Sequence, residues 1–182
     1  MKAVLSCMVV GLGLSTLWAY QPPNMPGPEK EHTWLKQFIG EWETDSEANM
    51  GPGQPAMKCK GSLKSRALGE FWIVTDFKAM MMGTEMTGLQ QIGYNPQKKK
   101  YIGTWIDAMM NHMWVYEGEV DTTGKILTLE AEGPNMLQPG KTAKFRDIYE
   151  FASKDEIKIT SAMQGEDGKW MTFMTGTAKR KK

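Results

Sequence analysis

The stretch Trp34-Leu35-Lys36-Gln37-Phe38-Ile39-Gly40-Glu41-Trp42 changes its period at Gly40. Before that glycine, Trp34, Leu35, Phe38 and Ile39 line one helical face, acids stand in the first turn and Gly40 ends the run, which predicts a helix within residues 28–40. After it, apolar positions recur at a period near two, broken about every 8 to 15 residues by Gly, Pro, Asn or Asp. Strands are expected at 41–49, 56–67, 71–80, 86–94, 99–107, 112–120, 125–132, 143–152, 156–164 and 169–179.

The turn signals between these segments are local: Leu68-Gly69-Glu70, Asn95-Pro96, Asp121-Thr122-Thr123-Gly124, Ser153-Lys154-Asp155 and Gly165-Glu166-Asp167-Gly168. Sequential strands joined by tight turns form an antiparallel meander. A meander of about ten strands has two exposed edges unless it closes, and closure as an up-and-down barrel gives the inward side chains one shared interior. The reading is therefore an all-β barrel with one short N-terminal helix plugging an end, and a β-sandwich is the alternative. No second domain, internal repeat or coiled coil is evident in the sequence.

The chain has 182 residues, 24% of them charged and 41% hydrophobic, with a formal net charge of +1. This is the composition of one globular domain, and it argues against a nucleic-acid partner, whose binders usually carry a basic face. Sixteen Met and seven Trp stand out, since both residue types fill apolar space and line adaptable binding surfaces.

Lys2 precedes the apolar run Ala3 to Leu17, which ends near the small residue Ala19 in the pattern of a secretory signal peptide. The run is shorter than the about 20 apolar residues that a membrane span needs, and the Pro-rich segment 20–29 cannot extend it as a helix. Cleavage is expected after Ala19, with Ser15 as a second cut site and an uncleaved anchor as a third version. No membrane span is expected after cleavage. Domain boundaries follow as signal 1–19, linker 20–29 and barrel 30–182. Removal of the signal takes Cys7 with it and leaves Cys59, which alternates with Met57, Gly61 and Leu63 and reads as a buried small hydrophobe.

Phe38-Ile39-Gly40-Glu41-Trp42, a short helix running into Gly-x-Trp, resembles the opening motif of the calycin superfamily, which includes lipocalins and nitrobindin-like barrels. A closer similarity is to the bacterial domain-of-unknown-function family 1579, mostly exported lipocalin-like proteins. It rests on Trp34-Leu35 with Gly40-Glu41-Trp42, Gly93-Tyr94-Asn95-Pro96, Tyr101 to Met109, Glu117-Gly118 and Gly124 to Leu129. The resemblance spans roughly residues 30 to 180, implies a lipocalin-like fold and an exported location, and brings no catalytic residues with it. In such barrels a basic side chain of the last strand covers the first-strand Trp, which makes Arg180 or Lys179 the expected partner of Trp42.

Alternation places Tyr101, Gly103, Trp105 and Asp107 on one face, His112, Trp114 and Tyr116 on another, and Phe145, Asp147, Tyr149 and Phe151 on a third. Turned inward, these residues make an aromatic wall with two carboxylates and one imidazole. Trp105, Asp107, His112, Trp114, Tyr116, Asp147 and Tyr149 are accordingly the expected ligand-binding residues. The competing reading has Asp107 and Asp147 capping turns or pairing with Arg146 and Lys144 at the rim.

Met80, Met81, Met82 and Met86 flank one turn, and Met109, Met110 and Met113 flank another with His112. Thioethers with an imidazole suit Cu(I), but no metal-specific spacing supports such a site. Two His exclude a three-His zinc site, and His32 is expected on the polar, solvent-facing side of the helix. A haem would need His112 as its axial ligand, and the place of His112 at a mid-chain turn differs from the late-strand ligand of nitrobindin-like barrels. No cofactor or metal is assigned. Gly-x-Ser-x-Gly, Walker, Gly-x-Gly-x-x-Gly and Cys-x-x-Cys motifs are all missing from the sequence. The leading expectation is a barrel holding a small apolar or amphipathic ligand. An enzyme built on the same pocket, and an envelope protein with a filled core, stand as alternatives. Oligomeric state is not legible.

Overall fold

A computed structural model of the chain describes residues 27–49, 55–81 and 83–182. The expected signal 1–19, most of the linker and Met82 lie outside the described residues. Helix α1 spans Lys30–Leu35 and continues as a 3-10 turn over Lys36–Phe38. Ten strands follow: β1 Gly40–Ala48, β2 Met57–Leu68, β3 Trp72–Met81, β4 Thr84–Asn95, β5 Lys100–Asp107, β6 Trp114–Val120, β7 Ile126–Pro134, β8 Thr142–Ser153, β9 Glu156–Gln164 and β10 Trp170–Arg180. Each pairs antiparallel with its sequence neighbours, and β1 pairs with β10, so the sheet is a closed barrel.

Closure fixes which side chains share the interior. Trp42, Ile73, Ile92, Tyr101, Leu127, Leu129, Ile157 and Ala178 are buried at alternating strand positions, and Leu35 and Phe38 descend onto them from the helical segment. The helix covers one end of the barrel through aromatic contacts. Trp34 packs edge-on to Tyr101 and Phe151, both at 5.5 Å, and Phe38 does the same to Phe151 at 4.9 Å.

The Gly-x-Trp motif has a local cause at this end. The Arg180 guanidinium lies 4.0 Å over the Trp42 ring, as expected for a basic residue of the last strand. It donates to the carbonyls of Ile39 (2.6 Å), Gln37 (3.0 Å) and Lys154 (3.1 and 3.2 Å). Gly40 has φ of +134°, and a Cβ there would sit 2.5 Å from Arg180 Nη1, so only glycine both adopts the backbone and clears the guanidinium. Arg180→Lys is expected to lower stability by about 2 kcal/mol, because a point ammonium cannot stack and serve three carbonyls at once. A urea midpoint equal to that of the parent protein would show that strand pairing alone holds this seam.

One sequence expectation fails here. His32 is buried, not solvent-facing, with 3% of its surface exposed. The Glu29 N–H donates to His32 Nδ1 at 2.9 Å, while Nε2 lies 3.2 Å from the Tyr94 carbonyl. The ring also meets Phe71 and Tyr94 edge-on. A helix lying across a barrel end has neighbours on its polar side too, so its amphipathic pattern does not mark that side as solvated. No helix of the described residues is long and apolar enough to cross a membrane.

Candidate ligand site in the barrel interior

The strands turn the expected aromatic and acidic residues inward, with one displacement: His112 lies in the loop 108–113 ahead of β6 instead of in the strand. Two indoles line the wall near the end opposite the helix. Trp105 faces Phe77 at 5.6 Å and lies over Gly88, where a Cβ would be 2.5 Å from its ring. Trp114 meets Phe145 edge-on at 4.6 Å and lies over Gly133, where a Cβ would be 2.3 Å away. The glycines on neighbouring strands make the room that the indoles occupy.

Deeper in the barrel the wall becomes polar. The Tyr116 hydroxyl donates to Asp147 Oδ2 at 2.6 Å, and the Ser161 hydroxyl donates to Asp147 Oδ1 at 2.5 Å. Burial pushes the Asp147 carboxyl above the ordinary carboxylate range, and these two hydrogen bonds oppose that shift without cancelling it. The Tyr116 and Tyr149 phenols are raised, first by their own burial and then by the neighbouring Asp147 charge. Gln90 Nε2 donates to the Tyr149 oxygen at 2.8 Å. Asp147, Tyr149, Leu63, Phe77 and Ile159 point inward from mid-strand yet remain only half-buried.

The raised Asp147 pKa sets the sign of a stability effect. Between the unfolded and folded pKa values the unfolded chain gives up this proton and the native chain keeps it, so the residue costs stability increasingly as pH rises, in full above the folded pKa. Asp147→Asn preserves shape, and both hydroxyl partners can re-aim to an amide. The variant is expected to melt a few degrees above the parent at pH 7, with the difference vanishing below about pH 4, under the ordinary Asp value. Paired melting curves at the two pH values check this. A lower melting temperature for Asp147→Asn at pH 7 would contradict the account.

Asp107 behaves differently. Its Oδ1 accepts the N–H groups of Met109 (2.7 Å) and Met110 (3.0 Å), and its Oδ2 accepts Trp105 Nε1 at 2.9 Å, so it caps the loop while steadying the indole. That is the turn-capping alternative. Asp147 does not follow the rim-pairing alternative, because Arg146 turns outward to Glu130 at 2.6 Å. His112 stands edge-on to Trp114 at 4.9 Å, and its Nε2 is the one buried side-chain nitrogen or oxygen without a hydrogen-bond partner among the described residues.

Met80, Met109 and Met113 are exposed while Met110 packs against the core. Cys59 is buried, and desolvation raises its thiol pKa, in keeping with a packing role. Gln90 and Ser161 were not foreseen. Each is a polar residue at an inward position between apolar or small ones, Gly88-Gln90-Ile92 and Ile159-Ser161-Met163, and that break in the alternation is the signal that marks them. A separate cleft of about 520 Å³ lies at the helix end, lined by Trp34, Tyr94 and Tyr101 with Lys30 and Lys99.

Fold and site together define a lipocalin-like barrel, one end covered by a helix, with a hydrogen-bonded carboxyl inside. The chain belongs to the family described as Protein of unknown function (DUF1579), which matches residues 27–180. Among solved structures it is similar to Rv2717c from M. tuberculosis, at 10% identity and a TM-score of 0.60, covering 85% of this chain and 99% of that one. It is also similar to the S-type phycobiliprotein lyase CPES from Guillardia theta, at 13% identity and a TM-score of 0.57, covering 85% and 99%. At such identities the likeness is one of fold. No curated protein matches the chain.

Proposed function

We propose that the barrel interior binds a small apolar or amphipathic molecule, with Asp147 orienting it. The observation that carries this reading is a carboxyl held inside the barrel by two neutral hydroxyls, amid inward side chains that keep partial exposure. A filled core would not retain such a group, since it raises the free energy of the folded state and an apolar residue would fit in its place. The aromatic wall supplies contact area, and the unpartnered His112 Nε2 supplies a second polar contact nearer the mouth. Asp107 is committed to its loop, so Asp147 stands without a facing partner of the kind that acid–base catalysis needs, which favours binding over the enzyme reading. We further propose that this binding takes place after export, on the strength of the signal-like sequence 1–19.

Native mass spectrometry of the protein recovered from culture medium or periplasmic extract tests both points. An excess mass lost on denaturation, on a chain shortened near Ala19, is the expected result. A chain of unshortened mass confined to the cytoplasm would overturn the export reading, and failure to retain any apolar molecule offered in the medium would overturn the binding reading.

A further inference from the structure

We infer that the ligand is an organic cation, an ammonium group on an apolar or aromatic body, held with its charge at Asp147. This rests on the binding reading above and specifies its chemistry. Between Trp42 and the mouth, alternation among the described residues turns Asp107 and Asp147 inward and no lysine or arginine, so the charge they give the interior is of one sign. Asp147 receives hydrogen bonds from Tyr116 and Ser161, both neutral, and among the described residues neither oxygen meets a cation. An ionised carboxylate buried here lacks the positive partner it ordinarily requires, and a cationic ligand would supply it.

The surroundings suit the same chemistry. Phe145 and Tyr149 flank Asp147 on its own strand face, Tyr116 faces it from β6, and Trp114 packs on Phe145. An ammonium group beside a carboxylate and bounded by aromatic rings gains both charge pairing and cation–π attraction. An anionic ligand would meet Asp147 as a like charge. A neutral ligand would leave the carboxyl to be protonated, or to be buried ionised without compensation.

Occupation by a cation therefore couples to a proton. An empty barrel holds Asp147 with its pKa raised, and a cation beside it draws the pKa down, so binding in the intervening range releases a proton and tightens as pH rises. The titratable groups facing Asp147 are Tyr116 from β6 and Tyr149 from its own strand, with Asp107 near enough to act on Tyr116. β7 and β9 present Leu129 and Ser161, which do not titrate. His112 lies farther out, against Trp114.

The test uses benzyltrimethylammonium, its uncharged carbon isostere neopentylbenzene, and phenylacetate, titrated into the mature protein by calorimetry and tryptophan fluorescence. The cation is expected to bind tighter than the isostere by about tenfold or more, and phenylacetate to bind weakest. In Asp147→Asn the tenfold preference should disappear while the isostere still binds. Cation affinity should rise with pH in the parent and stay flat in the variant, which separates Asp147 from His112 and Asp107. Equal binding of cation and isostere, or a preference that survives in Asp147→Asn, would overturn this inference and leave the binding reading intact. Binding of none of the three would remove both. The comparison within the parent protein decides the matter even if the variant does not fold.

Discussion

Trp42→Ala is expected to remove about 4 kcal/mol of stability, a large fraction of the about 5–15 kcal/mol that a domain usually has. Trp42 is 1% exposed, and its indole N–H donates to the Phe38 carbonyl at 2.8 Å, tying the end of the helical segment to the first strand. Its outer face carries the Arg180 guanidinium. Truncation leaves a cavity under the helix, an unpaired carbonyl and a guanidinium with no ring to cover. These three losses share one residue and do not add independently. Urea unfolding followed by the remaining tryptophans gives the measurement. A loss below about 2 kcal/mol would mean that the helix settles into the hole, against the rigid-plug account.

The second large effect is expected at Gly118, for a reason of space. A Cβ at this position would lie 1.9 Å from the Thr128 carbonyl oxygen and 2.9 Å from Leu129 Cα, atoms of the neighbouring backbone that no side-chain rotation can move. Gly118→Ala must therefore push β6 and β7 apart where Gly118 pairs with Leu129, at a cost of about 3 kcal/mol. Gly124 offers the comparison. Its φ is +72° with open space around it, so Gly124→Ala carries only the left-handed backbone penalty of about 1 kcal/mol. If Gly124→Ala proves the more damaging of the two in urea, close strand approach is not what fixes glycine at 118.

Much of this fold was legible from local chemistry. The switch of period at Gly40 and the turn residues between segments placed each strand within about two residues of its observed end. Hairpins are local objects, so their signals sit inside the sequence that forms them. The helix came out shorter than expected, six residues with a 3-10 turn, because its last turn tightens before the extended Ile39. His32 was misplaced because a helical wheel reports one buried face, whereas this helix meets Tyr94 on one side and the core on another.

The site was half legible. Asp147 and Tyr116 could be set inward by parity, but their meeting depends on barrel curvature, which brings β6 and β8 face to face across Leu129 of β7. Period-two reasoning carries no curvature. It likewise left Asp107 either lining the ligand site or capping a turn, and the structure binds Asp107 to its own loop within three residues.

The pairing of β1 with β10 has a kinetic meaning. Nine of the ten strand contacts join neighbours in sequence, and each hairpin can form as soon as its second strand exists. The tenth joins segments at opposite ends of the domain, and Arg180 reaches Ile39 across 141 positions. Until β10 is in place, β1 and β9 both present free edges and the aromatic interior lies open to water, the condition in which sheets recruit foreign strands. The last strand is thus a latch as well as a wall. Chains interrupted ahead of it should aggregate, and folding of the whole chain should be slow for its size, paced by the search for that one distant edge.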